Sequence, residues 1–213
     1  RQFSGEGWRL ERGAARFGGG EAQLPKEPGL WLTGSIAALD LSEWLALKSD
    51  RPAKRPLHDY LGGADLVVRE FAIFGFDFPN LDGAMVARDG AWRVHVESDT
   101  AHGNIVVPFD LTGEMPLELD MDRLVVGEHQ AGAGSNPDPM NFPSMHVAAD
   151  AFGAFGKRFG TLRAELVRDA GGLRLSSFTT TSRSFSSKGS GSWLNTPSGQ
   201  QSALEFALES SDV

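Results

Sequence analysis

Five histidines, one run of alternating carboxylates and several glycine-rich stretches are the residues of this chain with chemistry to test. The histidines are His58, His95, His102, His129 and His146. No two stand at i, i+4 or as H-x-H, the spacings that would set two imidazoles side by side for a metal. His95 alternates with apolar neighbours and belongs to the polar side of its strand, while His58 and His129 fall in loops. Glu118, Asp120 and Asp122 share one strand face. Three such carboxylates can bind Ca2+, but a solvated acidic face is the ordinary fate of that pattern. Gly18-Gly19-Gly20 lacks a following Lys-Ser/Thr at phosphate-loop spacing. Gly153-x-x-Gly156 and Gly189-x-Gly191 are too short for nucleotide binding outside a βαβ unit. No G-x-S-x-G nucleophile elbow is present. The five tryptophans could form a sugar platform, yet Trp92 and Trp193 sit inside strand patterns that assign them to a core or a groove lining. The expectation is a chain with no catalytic residues, no metal and no cofactor.

Bulk properties narrow the partners. The chain has 213 residues, 40% apolar and 23% charged, with a net charge of −8 and scattered Lys and Arg. That balance is globular, and it argues against nucleic acid, which wants a concentrated basic stripe. The absence of cysteine excludes disulfides and thiol chemistry and suits an oxidising compartment as well as any other. No apolar run reaches the roughly 18–20 residues that span a bilayer, and no signal peptide is visible. The chain starts at Arg1 without Met and stops inside a strand-like pattern, so it reads as an internal fragment of something longer.

The positioning elements come from a repeat. Ala64–Val94 and Met145–Leu175 align without a gap, pairing Phe71 with Phe152, Phe74 with Phe155, Gly75 with Gly156, Phe78 with Phe159, Leu81 with Leu162, Gly90 with Gly171 and Arg93 with Arg174, each 81 residues apart. Seven matches in one register mark a structural repeat. A third, partial copy shows at Gly7-Trp8-Arg9-Leu10, in a hairpin-like opening over residues 3–10. Within the repeat, alternation predicts strands over Ala64–Phe74, Leu81–Arg88, Trp92–Glu97, Asn104–Pro108 and Leu117–Val126, with a hairpin turn at Asp89-Gly90. The Ser/Thr-rich run 176–192 lies between strands and reads as polar β structure, Thr being a good strand former. Leu30–Leu41 reads as a strand entering one short helix, S-E-W-L-A-L-K at 42–48, capped by Asp40 or Ser42. The expected organisation is 1–47 as the end of a preceding β unit plus that helix, 48–63 as a linker, 64–126 as the first β-groove repeat, 127–143 as a loop and 144–213 as the second. The fold class is all-β: antiparallel meander repeats forming a curled, extended groove.

Period-2 alternation gives every strand one apolar and one polar face. At roughly 25 cal/mol per Å2 such an apolar face does not stay in water, and one short helix is too little to cover it. The sheet then closes as a sandwich or barrel, or it curls into a trough filled by hydrocarbon chains. Burial in a closed core is the usual outcome, whereas stacked repeats favour an extended structure.

The succession F-x-x-F-G-x-x-F-G-x-L-x-x-x-L at 152–166, G-L-R-L at 172–175, S-K-G-S-G-S-W at 187–193 and S-A-L-E-F-A-L-E-S-S-D-V at 202–213 resembles the YhdP branch of the AsmA-like proteins, relatives of TamB. G-L-W-L-T-G-S-I-A-A-L-D-L-S-E-W-L at 29–45 is similar to the same branch. The resemblance implies a Gram-negative envelope protein, anchored in the inner membrane outside this fragment and extending across the periplasm. It implies repeating β-groove units and phospholipid movement between the inner and outer membranes, in support of the outer-membrane barrier. It supplies no catalytic residues. The partners it implies are phospholipid acyl chains and neighbouring β units of the same parent chain, with membrane contact only through parts outside the fragment.

On this reading the candidate lipid-facing residues are Leu66, Val68, Leu81, Met85, Trp92, Val94, Leu117, Leu119 and Met121 in the first repeat. In the second they are Leu162, Leu166, Leu173, Leu175, Leu204, Phe206 and Leu208. Headgroup selectivity is expected to be slight, because the polar groups of the strands face outward. The alternative is a closed β-sandwich that serves as a structural or interaction module without lipid. Open β edges at the two ends predict end-to-end association.

Overall fold

The computed structural model describes residues 10–40, 56–73, 76–127 and 138–210. Almost all of them are strand. The strands are β1 (Arg12–Phe17), β2 (Gly29–Asp40), β3 (Leu61–Ile73), β4 (Phe76–Arg88), β5 (Ala91–Glu97) and β6 (Ala101–Pro108). They continue as β7 (Leu117–Val126), β8 (Met145–Ala154), β9 (Lys157–Asp169), β10 (Gly172–Thr181), β11 (Phe185–Thr196) and β12 (Gly199–Ser210). All twelve join one sheet in sequence order, with β1 and β12 as its edges. Each strand hydrogen-bonds only its chain neighbours, the topology of stacked repeats. The short helix expected at 42–48 and all but Leu10 of the hairpin-like opening at 3–10 lie outside the described residues.

Within β3–β7 and within β8–β12 every pairing is antiparallel. The hairpins follow from local chemistry. At Asp89-Gly90 both residues have positive φ, 53° and 78°, the type I′ geometry that matches strand twist and that glycine adopts without strain. Three pairings are parallel: β1 with β2, β2 with β3, and β7 with β8. Alternation alone did not predict these, since a strand's side-chain pattern is the same whichever way its neighbour runs.

The sequence repeat is a repeat of structure. β4 and β9 are 81 residues apart at both ends, and β5 and β10 begin 81 apart. Val68 and Ala149 are both buried, as are Leu81 and Leu162. The Phe71 and Phe78 rings meet at 6.3 Å, and their counterparts Phe152 and Phe159 meet at 5.8 Å. Short 3-10 turns at Leu57–Asp59 and Pro139–Asn141 precede β3 and β8, 82 residues apart. The first of them falls in the stretch read as a linker, and β3 starts at Leu61, three residues before Ala64.

Candidate functional site

Pairing registers place one residue of each strand in a continuous row across the sheet. From β1 to β12 the row is Ala15, Leu32, Ala64, Met85, Val94, Ile105, Leu119, Val147, Ala164, Phe178, Gly189 and Phe206. No member is polar. At strand spacings of about 4.8 Å the row runs on the order of 50 Å, and it crosses the parallel step β7–β8 without a break. Beside it, on the same face, lies a second row: Leu66, Gly83, Val96, Gly103, Met121, Ala149 and Leu162, followed by Thr180, Ser187 and Leu208.

The two rows differ in depth. Val96, Met121, Ala149 and Leu162 are buried and form the floor of the curl. Met85, Val94, Ile105, Leu119, Val147, Ala164 and Phe178 are half-buried. Toward β12 the face opens: Leu204 is 60% exposed, Phe206 48% and Leu208 67%. Glycine assists the curl at Gly189, where the Phe178 and Phe206 rings of the two flanking strands meet edge to face at 5.8 Å. A Cβ on Gly189 would strike the Phe206 ring and come within 2.7 Å of the Glu205 carbonyl.

All sixteen residues picked from the sequence project from this one face. Leu66, Met121, Leu162 and Leu208 stand in the second row; Met85, Val94, Leu119 and Phe206 stand in the first. Val68 and Leu81 pair with each other toward one end of the strands. Trp92, Leu117, Leu166, Leu173, Leu175 and Leu204 lie toward the other end. At that other end part of the face is covered. Trp92 packs edge-on against Phe109, at 5.2 Å, and Phe109 stacks on His58 of the first 3-10 turn, at 4.2 Å. In the second repeat Phe142 meets Trp193 at 5.3 Å, and the buried Pro139 lies against Gly172.

Several members of the face were not legible from alternation. Ile105 sits in the unbroken apolar run Ile105-Val106-Val107, where period 2 cannot say which residue turns inward. Phe178 and Leu124 each follow a bulge, between Leu175 and Phe178 in β10 and opposite His102–Gly103 in β7. One extra residue flips the inward parity there.

The opposite face is polar. One step along the strands from the apolar row stand Thr33, Asp65, Ala84, His95, Asn104, Asp120, Ala148, Arg163, Thr179 and Lys188. Its polar contacts are exposed ones: Arg163 pairs with Asp150 at 3.4 Å, worth about 0–1 kcal/mol, and His102 Nδ1 lies 3.3 Å from Asp122. His95 and His102 stand edge to face at 5.7 Å, but among the described residues no three His, Asp or Glu side chains are grouped to hold a metal. Asp110, in the β6–β7 connection, is held below the usual carboxylate range by the Thr112 hydroxyl, at 2.7 Å, and by the Thr112 backbone N–H. Among the described residues no helix is long and apolar enough to cross a membrane.

Comparison with curated proteins and with solved structures returned no match. A family model described as YhdP protein matches residues 1–213, the whole of the chain, and the chain therefore belongs to the YhdP family.

Proposed function

We propose that this chain is a segment of an AsmA-like envelope protein that conducts phospholipid between the inner and outer membranes along the apolar face of its sheet. YhdP-family proteins are bacterial envelope proteins, and theirs is not a known enzyme family. The proposed location is the periplasm, with the parent protein anchored in the inner membrane. The observation that carries the reading is the twelve-residue row without a polar member, half-buried through its middle and open toward β12. A closed core would bury such a row throughout. Acyl chains span about 15 Å, half the hydrocarbon thickness of a bilayer, and strands of 10–13 residues run on the order of 33–43 Å. Chains lying along the strands therefore fit on the face, and displacement from strand to strand meets the same apolar surface at each step. The polar opposite face keeps the outside of the trough hydrated.

The test is native mass spectrometry of the protein purified from a bacterial host, with lipid extraction in parallel. Wild type is expected to carry phospholipid. A variant with Asp at Val94, Leu119 and Ala164 is expected to lose it. A lipid-free mass from well-folded wild type would overturn the proposal in favour of a closed structural module.

A further inference from the structure

The two repeats differ at the rim of the trough opposite the 3-10 turns. In the second repeat this rim carries the β8–β9 turn at Phe155-Gly156 and the β10–β11 turn at residues 182–184. Lys157 and Arg158 open β9, and Arg183 lies in the second turn. All three are exposed, and none makes an ion pair or a side-chain hydrogen bond among the described residues. Positions 81 residues earlier, in the first repeat, hold Phe76 and Asp77 where the second has Lys157 and Arg158. The first repeat's rim also carries Asp99, bonded to Asn80 at 3.0 Å. One rim is acidic and the other basic, within a chain of net charge −8.

A further feature points to a ligand at the basic rim. Phe155 is 69% exposed at φ 51°, a backbone region that costs a bulky residue energy, so an aromatic ring is held out beside the cations. Inward of the cations the Phe159 and Phe185 rings meet at 6.3 Å, and beyond them Thr180 and Ser187 face each other across β10–β11. They are the polar members of an otherwise apolar row. Thr180 is 1% exposed, and its hydroxyl has no hydrogen-bond partner, although buried hydroxyls are normally paired. From the rim inward the order is cations, the Phe159–Phe185 ring pair, then the floor and lining of the apolar face. A phospholipid presents its phosphate first and its apolar chains beyond it, in that order.

We infer that the rim of the second repeat is a headgroup station. Lys157, Arg158 and Arg183 take the phosphate of an anionic phospholipid, and its chains run inward past the Phe159–Phe185 pair onto the apolar face. The inference rests on the lipid reading above and replaces the expectation of slight headgroup selectivity with a preference for anionic lipid at this repeat.

The test equilibrates the purified protein with vesicles of equal phosphatidylglycerol and phosphatidylethanolamine, then measures total bound lipid and its headgroup ratio. Wild type is expected to enrich phosphatidylglycerol at least about fivefold, the effect of one cation on one net negative charge. K157E/R158E/R183E is expected to abolish the enrichment while total lipid per protein is unchanged. K157Q/R158Q/R183Q serves in its place if the reversal fails to fold. Enrichment that survives the charge change, or a wild type without enrichment, overturns the headgroup station while leaving the groove intact. A wild type that takes up no lipid refutes the groove reading itself. Excess inorganic phosphate should leave both readouts in place; loss of enrichment with the lipid retained would mark a free-phosphate site and overturn the lipid assignment.

Discussion

Replacing Leu119 with Asp separates an open apolar face from a closed core. Leu119 stands in the middle of the unbroken row, between Ile105 and Val147, and is half-buried. Full burial of a leucine contributes about 1.5–3 kcal/mol, so half-burial contributes about 1 kcal/mol. Two apolar cross-strand pairs add about 0.2–1 kcal/mol each. On an open face the new carboxylate stays hydrated, and the loss totals about 2 kcal/mol. For a chain of this size that lowers the melting temperature by about 4–8 °C. Met121, two residues along the same strand, is only 3% exposed. Met121→Asp forfeits a fully buried side chain, about 2–5 kcal/mol, and buries a charge besides, which together approach the whole stability of a domain. Circular dichroism melts of the two variants should therefore differ widely, and native mass spectrometry of L119D should show β structure kept and phospholipid lost. Equal destabilisation by the two substitutions would refute the distinction between floor and lining. A folded L119D that holds lipid at the wild-type level would show that chains do not lie along this row.

Three smaller perturbations probe the same physics. Gly189→Val drives a side chain into the space where Phe178 and Phe206 meet. It should cost about 1–3 kcal/mol, as overpacking does, and separate the two rings, visible as a loss of near-ultraviolet aromatic signal. Thr180→Val removes a buried hydroxyl that lacks a partner; lipid-free protein should gain about 1 kcal/mol in urea unfolding. Thr112→Val removes the largest cause holding Asp110 low, so the Asp110 carboxyl should titrate at higher pH by carbon-detected NMR. The sign follows from linkage. A depressed folded pKa stabilises above the unfolded value and loses that contribution as pH falls through the folded one. The mild acid dependence this interaction adds should therefore shrink in the variant.

Where side-chain alternation was regular, the sequence showed both strand and face. Leu117, Leu119 and Met121 alternate with three carboxylates, and β7 spans Leu117–Val126 as expected. Asp89-Gly90 supplies a turn whose backbone requirement only a few residues meet, so the hairpin could be located to the residue. The Ser/Thr-rich run formed β10 and β11 because Thr and Ser tolerate a pleated, half-buried surface. Bulges were invisible, since the extra residue before Phe178 leaves no compositional mark. The rim was missed for a different reason. Lys157 and Arg158 look like ordinary solvated charges until the topology sets them at the same end as Arg183, beside the Phe159–Phe185 pair. The parallel pairings were also illegible, because strand direction depends on where a connection returns and not on the strand's own side chains.

That direction is what joins the two repeats into one surface. Five antiparallel strands are an odd number, so β7 ends at the same side of the sheet as β3 does. A following copy of the unit must begin at the other side, which makes its first strand parallel to β7. β8 begins at that side, and Leu119 pairs with Val147. A slip of one residue in this single pairing would turn the whole inward set of β8–β12 outward and set Asp120 in line with the apolar row of the second repeat. Continuity of the trough thus depends on the Leu117–Met145 to Val126–Ala154 register. That register is fixed from both sides by burial: Met121 and Ala149 face each other in the floor, and no neighbouring register leaves both of them inside.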